Sequence, residues 1–148
     1  MFESILSLFS HRKGYRTKLP AADARTALGA LLVRVAKADD AYLFQEVEQI
    51  DKILAARNGI NILQAAKLRA QCELLEEAMP YTAEIIEVLN EVVDIAEREA
   101  MVAALWQVVF ADGQQDSAED ELLHLIENSL GVDPGVSARL RDEAAKNL

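Results

Sequence analysis

The sequence is poor in residues that interrupt helices and in residues that cross-link chains. It has three prolines, six glycines, one cysteine and an aromatic share of only 5% among 148 residues. Few turn-forming residues beside abundant Ala, Leu, Glu, Val and Ile favour an all-helical fold. The single cysteine, Cys72, excludes an internal disulfide, which fits a reducing cytoplasm. We therefore expect a cytoplasmic, all-α chain, long enough for one domain around one core.

Long apolar runs are also missing. Residues 2–9 lack the basic start of a signal peptide, and their apolar part is too short for one. The longest nearly apolar run, residues 100–111, is interrupted by Gln107 and falls short of the roughly 20 residues that span a bilayer. No transmembrane segment is expected. Residues 1–20 are predicted to form a short amphipathic helix and a basic loop, which either dock on the core or weakly contact an acidic membrane surface.

Basic residues are scarce relative to acidic ones, and the formal net charge is −10. Between residues 80 and 130 there are twelve acids and one base, Arg98. This balance argues against nucleic acid as a partner and is compatible with a cation or a basic protein surface. Four of these acids follow spacings of three and four, and we expect them to line one helix: Glu84, Glu87, Glu91 and Asp94. Such a stripe is either a solvated face or a docking surface for a basic partner.

Apolar residues recur at helical spacing from residue 21 to the C terminus, and no segment alternates with a period of two. The pattern predicts a single domain of seven to eight helices. Gly59 is expected to end one helix, and Asn61 with Gln64 to cap the next. Gly131 is expected to end a later helix, and Asp133 with the following proline to open the last.

Two stretches of the chain match each other at a spacing of about 72 to 73 residues. Placing Asp39 on Asp112 also places Leu28 on Met101 and Glu46 on Glu119. After the alignment shifts by one residue, residues 59–61 match 131–133, and residues 67–69 match 139–141. The domain at 21–148 is therefore predicted to contain two pseudo-symmetric three-helix repeats, at about 21–79 and 97–148.

A glutamate follows each of the two Asp loops at a spacing of seven residues. At 100° per residue, Glu46 and Glu119 point the same way as the apolar stripes of their helices. A carboxylate that faces inward requires partners. One interpretation is a helix cap, with the glutamate at the third helical position. The other is a divalent cation, calcium rather than zinc, held in the second loop by the carboxylate oxygens of Asp112, Asp116 and Glu119.

The chain offers little for catalysis. It has two histidines, no glycine-rich phosphate loop, and no serine or cysteine set up as a nucleophile, so no enzyme is expected. Trp106 and Cys72 are predicted to be core or part-buried packing residues.

The second Asp loop, Ala111-Asp112-Gly113 followed by Asp116 and Glu119 and entered from an apolar helix, resembles the TerB-like tellurite-resistance family. The resemblance implies an all-helical, non-enzymatic bacterial protein associated with tellurite and stress resistance, with divalent-cation binding and membrane-linked complexes suggested for its members. By that motif, Asp112 and Glu119 carry over in the second loop, and the resemblance extends the cation site to Asp39 and Glu46 in the first. The first loop departs from the motif, because Asp40 replaces the glycine, where it adds a ligand, and Leu43 replaces the cap residue. The resulting expectation is an acidic binding module. The alternative is a metal-free structural or adaptor protein that docks a basic partner.

Overall fold

The computed structural model describes residues 23–38, 42–111 and 117–146, with the backbone alone at 117–119. The helix and basic loop predicted for residues 1–20 lie outside these ranges. The described residues form seven helices and no strand. In chain order they are α1 (Ala24–Ala36), α2 (Phe44–Asn58), α3 (Ile62–Ala78), α4 (Thr82–Val92), α5 (Ile95–Val109), α6 (Ser117–Ser129) and α7 (Pro134–Lys146). The predicted all-α, single-domain fold is confirmed.

Side-chain caps explain where several helices begin. Asp23 accepts the Thr26 N–H at 2.9 Å at the start of α1. At the start of α3 the predicted capping box is present, because Asn61 accepts the Gln64 N–H at 2.8 Å and Gln64 accepts the Asn61 N–H at 3.1 Å. Each cap satisfies backbone donors that have no partner inside the helix.

Two glycines end α2 and α6 with the same turn. Gly59 and Gly131 have φ of 62° and 74°, the left-handed region that residues with a Cβ rarely adopt. The next N–H closes the turn in both places, from Ile60 to Ala55 O at 3.2 Å and from Val132 to Glu127 O at 3.0 Å. Both predicted helix stops are confirmed. The superposition of the complete halves stays a prediction.

Helix α1 lies at the centre of the fold. It packs against α2, α3, α4, α5 and α6, and nearly every residue from Thr26 to Ala36 is buried. Because a helix that is apolar on all sides must be enclosed, α1 buries more than the single stripe predicted from Leu28 to Val35. Gly29 permits the close approach of α3, since a Cβ there would lie 2.1 Å from Cys72 Sγ.

Arg34 fixes the junction between α3 and α4. Its guanidinium donates to the Glu76 carboxylate at 3.0 Å, to the Glu76 carbonyl at 2.8 Å and to the Met79 carbonyl. Lys37 reaches the same carboxylate at 2.9 Å. The buried charge of Glu76 is therefore balanced by two cations, and the last carbonyls of α3 are satisfied by a side chain from α1.

Candidate functional site

The start of α2 carries the described part of the first Asp loop. Glu46 is the third residue of this helix and is 1% exposed, alongside the buried Ile50 and Leu54. One of its carboxylate oxygens accepts the Leu43 N–H at 3.0 Å. The inward phase predicted for Glu46 is confirmed. The Leu43 side chain has no acceptor for the Glu46 N–H, so only the Glu46 half of a capping box is formed.

A polar network joins the beginning of α2 to α3. The Tyr42 hydroxyl donates to Glu73 Oε2 at 2.8 Å, and Arg69 donates to the same oxygen at 3.1 Å. Arg69 also pairs with Asp51 of α2 at 2.6 Å. Burial, and next the bonded Glu73 carboxylate, raises the pKa of Tyr42 well above its ordinary value. The Tyr42 phenol is therefore a neutral hydrogen-bond donor, and its bond to Glu73 holds the residues before α2 against α3.

Most of the residues predicted to hold a cation lie where the structure gives no description. They are Asp39, Asp40, Asp112 and Asp116, together with the side chain of Glu119. Within the described ranges, no group of three His, Cys, Asp or Glu side chains could hold a metal ion. Glu46 is thus the one member of the two donor sets whose surroundings are known.

The acidic stripe differs from its prediction in two ways. Glu84 is 8% exposed, because α4 packs against both α1 and α6 and its buried face is wider than one apolar stripe. Asp94 lies beyond the end of α4 and caps α5, accepting the Glu97 N–H at 3.0 Å. The prediction that four acids line one helix is therefore wrong. Of the four, only Glu87 and Glu91 are exposed residues of α4.

Arg98, the one base between residues 80 and 130, forms its hydrogen bonds with the backbone. Its guanidinium donates to three backbone carbonyls: Val93 at 3.0 Å, Asn90 at 3.1 Å and Leu130 at 3.3 Å. These carbonyls belong to the ends of α4 and α6. Arg98 is accordingly a cap for two helix C termini, where a cation is favoured by the exposed carbonyl dipoles.

A buried polar network in the second half was missed by the sequence reasoning. The Trp106 indole N–H donates to Ser137 Oγ at 3.1 Å, and Ser137 donates in turn to the Glu127 carboxylate. The other oxygen of Glu127 lies 3.0 Å from His124 Nδ1. Trp106 is in the core, as predicted, at 1% exposure. The tryptophan itself predicts that an acceptor is present, since buried indole N–H groups usually have one. Which residue accepts depends on how the helices pack.

Cys72 is fully buried against α1, as predicted for a packing residue. Burial raises the pKa of its thiol to about 12. The reactive thiolate is therefore scarce at neutral pH, which argues against a nucleophilic role for Cys72.

Comparison with known families assigns the fold. The model of a family described as tellurite resistance protein TerB matches residues 25–142, from the first turn of α1 into α7. The chain belongs to the TerB family. The matched range contains both Asp loops, so it includes the motif on which the resemblance was recognised. No curated protein and no solved structure matched the chain.

The TerB match places the chain in a family associated with tellurite resistance. Of the helices that the structure describes, none has the length and apolar character needed to cross a membrane.

Proposed function

We propose that this TerB-family protein is a non-enzymatic binding module that takes a divalent cation at its two Asp loops. The observation that supports the proposal is the Glu46 carboxylate, which is 1% exposed and follows Asp40 by six residues. Burial of a carboxylate is costly unless charge or hydrogen bonds compensate it. A cation bound at the preceding loop would compensate the charge of this buried carboxylate, in addition to the hydrogen bond from the Leu43 N–H.

The donor chemistry supports calcium in preference to zinc. Asp39, Asp40 and Glu46 in the first loop offer only oxygen ligands, as do Asp112, Asp116 and Glu119 in the second. Calcium takes six to eight oxygens from carboxylates, carbonyls and water, whereas zinc sites favour sulfur and nitrogen. When bound, the cation would supply positive charge at the start of α2 and of α6.

The test is a calcium titration by calorimetry on protein stripped with chelator, with zinc titrated in parallel. We expect saturable calcium binding that weakens in Glu46→Gln and in Glu119→Gln. Glu121→Gln is the matched control, because Glu121 is exposed two residues after Glu119. Absence of binding heat in wild type would exclude the cation. Equal affinity of all three variants would exclude Glu46 and Glu119 as its ligands and leave helix capping as their role.

A metal-free adaptor is the second candidate, and the exposed outer face of α4 favours it. Glu87 and Glu91 are exposed one turn apart, next to the exposed apolar side chains of Val92 and Ile95. An acidic pair beside apolar surface suits a basic protein partner, with electrostatics mainly raising the association rate.

This alternative predicts that Glu87→Lys with Glu91→Lys abolishes capture of a partner from lysate while leaving helicity unchanged. The control is Glu121→Lys with Glu143→Lys, which makes the same change in net charge at exposed positions on α6 and α7. Capture by wild type should weaken with added salt. Recovery of the same proteins by both double variants would show that the α4 face is only solvated surface.

A further inference from the structure

The start of α1 shows where residues 1–22 join the described domain. Asp23 caps this helix, and the next residue, Ala24, lines a cavity together with Val93 and Glu97. Val93 follows the last residue of α4, and Glu97 lies in the first turn of α5. Residues 1–22 are therefore attached to the domain beside the junction of α4 and α5.

The end of α4 and the start of α5 form an acidic surface, the α4–α5 junction, which comprises residues 87–99. These residues include five acids and one base. Val92 and Ile95 of this junction are 61% and 49% exposed. Glu87 and Glu91 are exposed one helical turn apart on α4. The junction therefore combines exposed apolar side chains with an excess of negative charge, a combination that suits a basic, amphipathic segment.

A second apolar pair near the same cavity has basic surroundings. Ile62 and Leu63 at the start of α3 are 57% and 67% exposed, and they follow Asn58, which lines the cavity. Residues 53–72 include three bases and no acid. The two surfaces are alike in apolar exposure and opposite in charge, so a basic segment is attracted to the α4–α5 junction and repelled by the start of α3.

The first residues of the chain have the sequence that matches the junction. Residues 2–9 hold five large apolar side chains, and residues 12–18 hold four bases and no acid. These bases stand 5 to 11 residues before Asp23. At about 3.3 Å per residue they reach about 17 to 36 Å from it. The 11 residues of α4 are about 16 Å long, so the acids at the end of α4 are within reach of the bases.

We propose that residues 2–18 dock on the α4–α5 junction of their own chain, with apolar side chains on Val92 and Ile95 and bases beside Glu87 and Glu91. The proposal rests on the second candidate function, because it identifies the basic partner of the α4 face as a segment of the same chain. It is independent of any cation at the Asp loops. A segment tethered by a short linker has a roughly millimolar effective concentration, so an external basic protein must displace it to bind.

The test is paramagnetic broadening in the full, purified chain with chelator present. A nitroxide label on Ser7→Cys is selective, because Cys72 is fully buried and burial raises the pKa of its thiol to about 12. Wild type treated with the same reagent is the labelling control. We expect a loss of methyl signal at Val92 and Ile95 that exceeds the loss at the exposed pair that opens α3. Added salt should reduce this difference.

Charge reversal tests the electrostatic part of the contact. Glu87→Lys with Glu91→Lys should restore the methyl signals of the junction in the labelled protein. The control double variant on α6 and α7 that is described above makes the same change in net charge and should not restore them. Adding Arg12→Glu and Lys13→Glu to the first double variant should bring the signal loss back, because attraction is re-established with the charges exchanged. All four changed positions of the domain are exposed, and circular dichroism checks that helicity is unchanged.

The outcomes separate the possible occupants of the junction. Equal signal loss at both apolar pairs, or a loss that charge reversal leaves unchanged in folded protein, would overturn the proposal. Sharp junction signals in a protein that sediments with anionic vesicles would overturn it in favour of a membrane surface. Signal loss between a labelled and an unlabelled copy in a mixed sample would assign the junction to a second copy. Signal loss within single chains that capture no partner from lysate would support the proposal and contradict an external partner.

Discussion

Arg69 and Arg141 occupy matching positions in the two halves but hold their helices by different interactions. Arg69 on α3 pairs with Asp51 at 2.6 Å and with Glu73 at 3.1 Å. Arg141 on α7 lies 5.5 Å from the centre of the Trp106 ring and only 4.0 Å from Asp120. The first half therefore joins its helices by ion pairs near the surface, and the second by a core tryptophan under an arginine. Halves with the same helix order need not share the interactions that stabilise them.

The largest expected effect tests the buried network of the second half. Ser137→Ala introduces the residue found at the matching position of the first half, Ala65. It leaves the Trp106 N–H and a Glu127 oxygen without their partner in a buried site. We expect a loss of about 2 to 4 kcal/mol in unfolding free energy, measured by urea denaturation. Ser129→Ala is the exposed control, and equal midpoints for the two variants would contradict the importance of the network.

The next effect tests the close helix approach of the first half. Gly29 matches Val102, which is buried in the second half. Gly29→Ala would place its methyl 2.1 Å from Cys72 Sγ and 2.9 Å from Cys72 Cβ. Overpacking should cost about 1 to 3 kcal/mol despite the better helix propensity of alanine. Cys72→Gly removes both contacts. The double variant Gly29→Ala with Cys72→Gly should therefore be more stable than Gly29→Ala with Cys72→Ser. The opposite order of stability would contradict the clash.

A smaller effect separates the two matched arginines. Arg69→Gln breaks two ion pairs at a side chain that is 20% exposed, and we expect a loss of about 1 to 2 kcal/mol. Arg141→Gln removes a longer contact and a cation–π interaction at a side chain 38% exposed, and should cost about 0.5 to 1 kcal/mol. Chemical denaturation of both variants in one buffer gives the ranking. A larger loss of unfolding free energy in Arg141→Gln than in Arg69→Gln would contradict the comparison.

The smallest effect concerns alkaline pH and is specific to the first half. Burial and Glu73 raise the pKa of Tyr42 in the folded protein above its ordinary value of 10. The contribution of Tyr42 to folding stability is therefore complete below pH 10, and it is lost as the pH rises towards the pKa of the folded state. Tyr42→Phe should cost about 1 kcal/mol at neutral pH through the lost hydrogen bond. The gap to wild type should narrow above about pH 10. The measurement is the urea midpoint of both proteins at a series of pH values. A stability difference between wild type and Tyr42→Phe that widens above about pH 10 would contradict the interpretation.

Local signals in the sequence predicted much of the fold. Asn61 with Gln64, and the two glycines at 59 and 131, act through neighbours within a few residues, and the structure places them as expected. The inward direction of Glu46 also follows from helical phase alone. Glu84 could not be placed in the same way, because its burial depends on how many helices surround α4.

Two interactions that were missed from the sequence join distant parts of the chain. The Trp106 indole finds Ser137, which lies 31 residues later, and Arg98 finds Leu130 O, which lies 32 residues later. Helical periodicity states which side of a helix is buried, but not which polar groups meet there. The inward direction of Glu46 was therefore predictable, whereas the contacts of the candidate site were not.

Arg98 has a further consequence for hydrogen exchange. Its guanidinium holds the last carbonyls of α4 and of α6 at the same time, so neither end can fray without releasing a donor from the other. Amide protons in the final turns of these two helices should therefore exchange with a common opening free energy, as one cooperative unit. Replacing Arg98 by methionine would let the two helix ends exchange independently, although they are about 40 residues apart in the sequence.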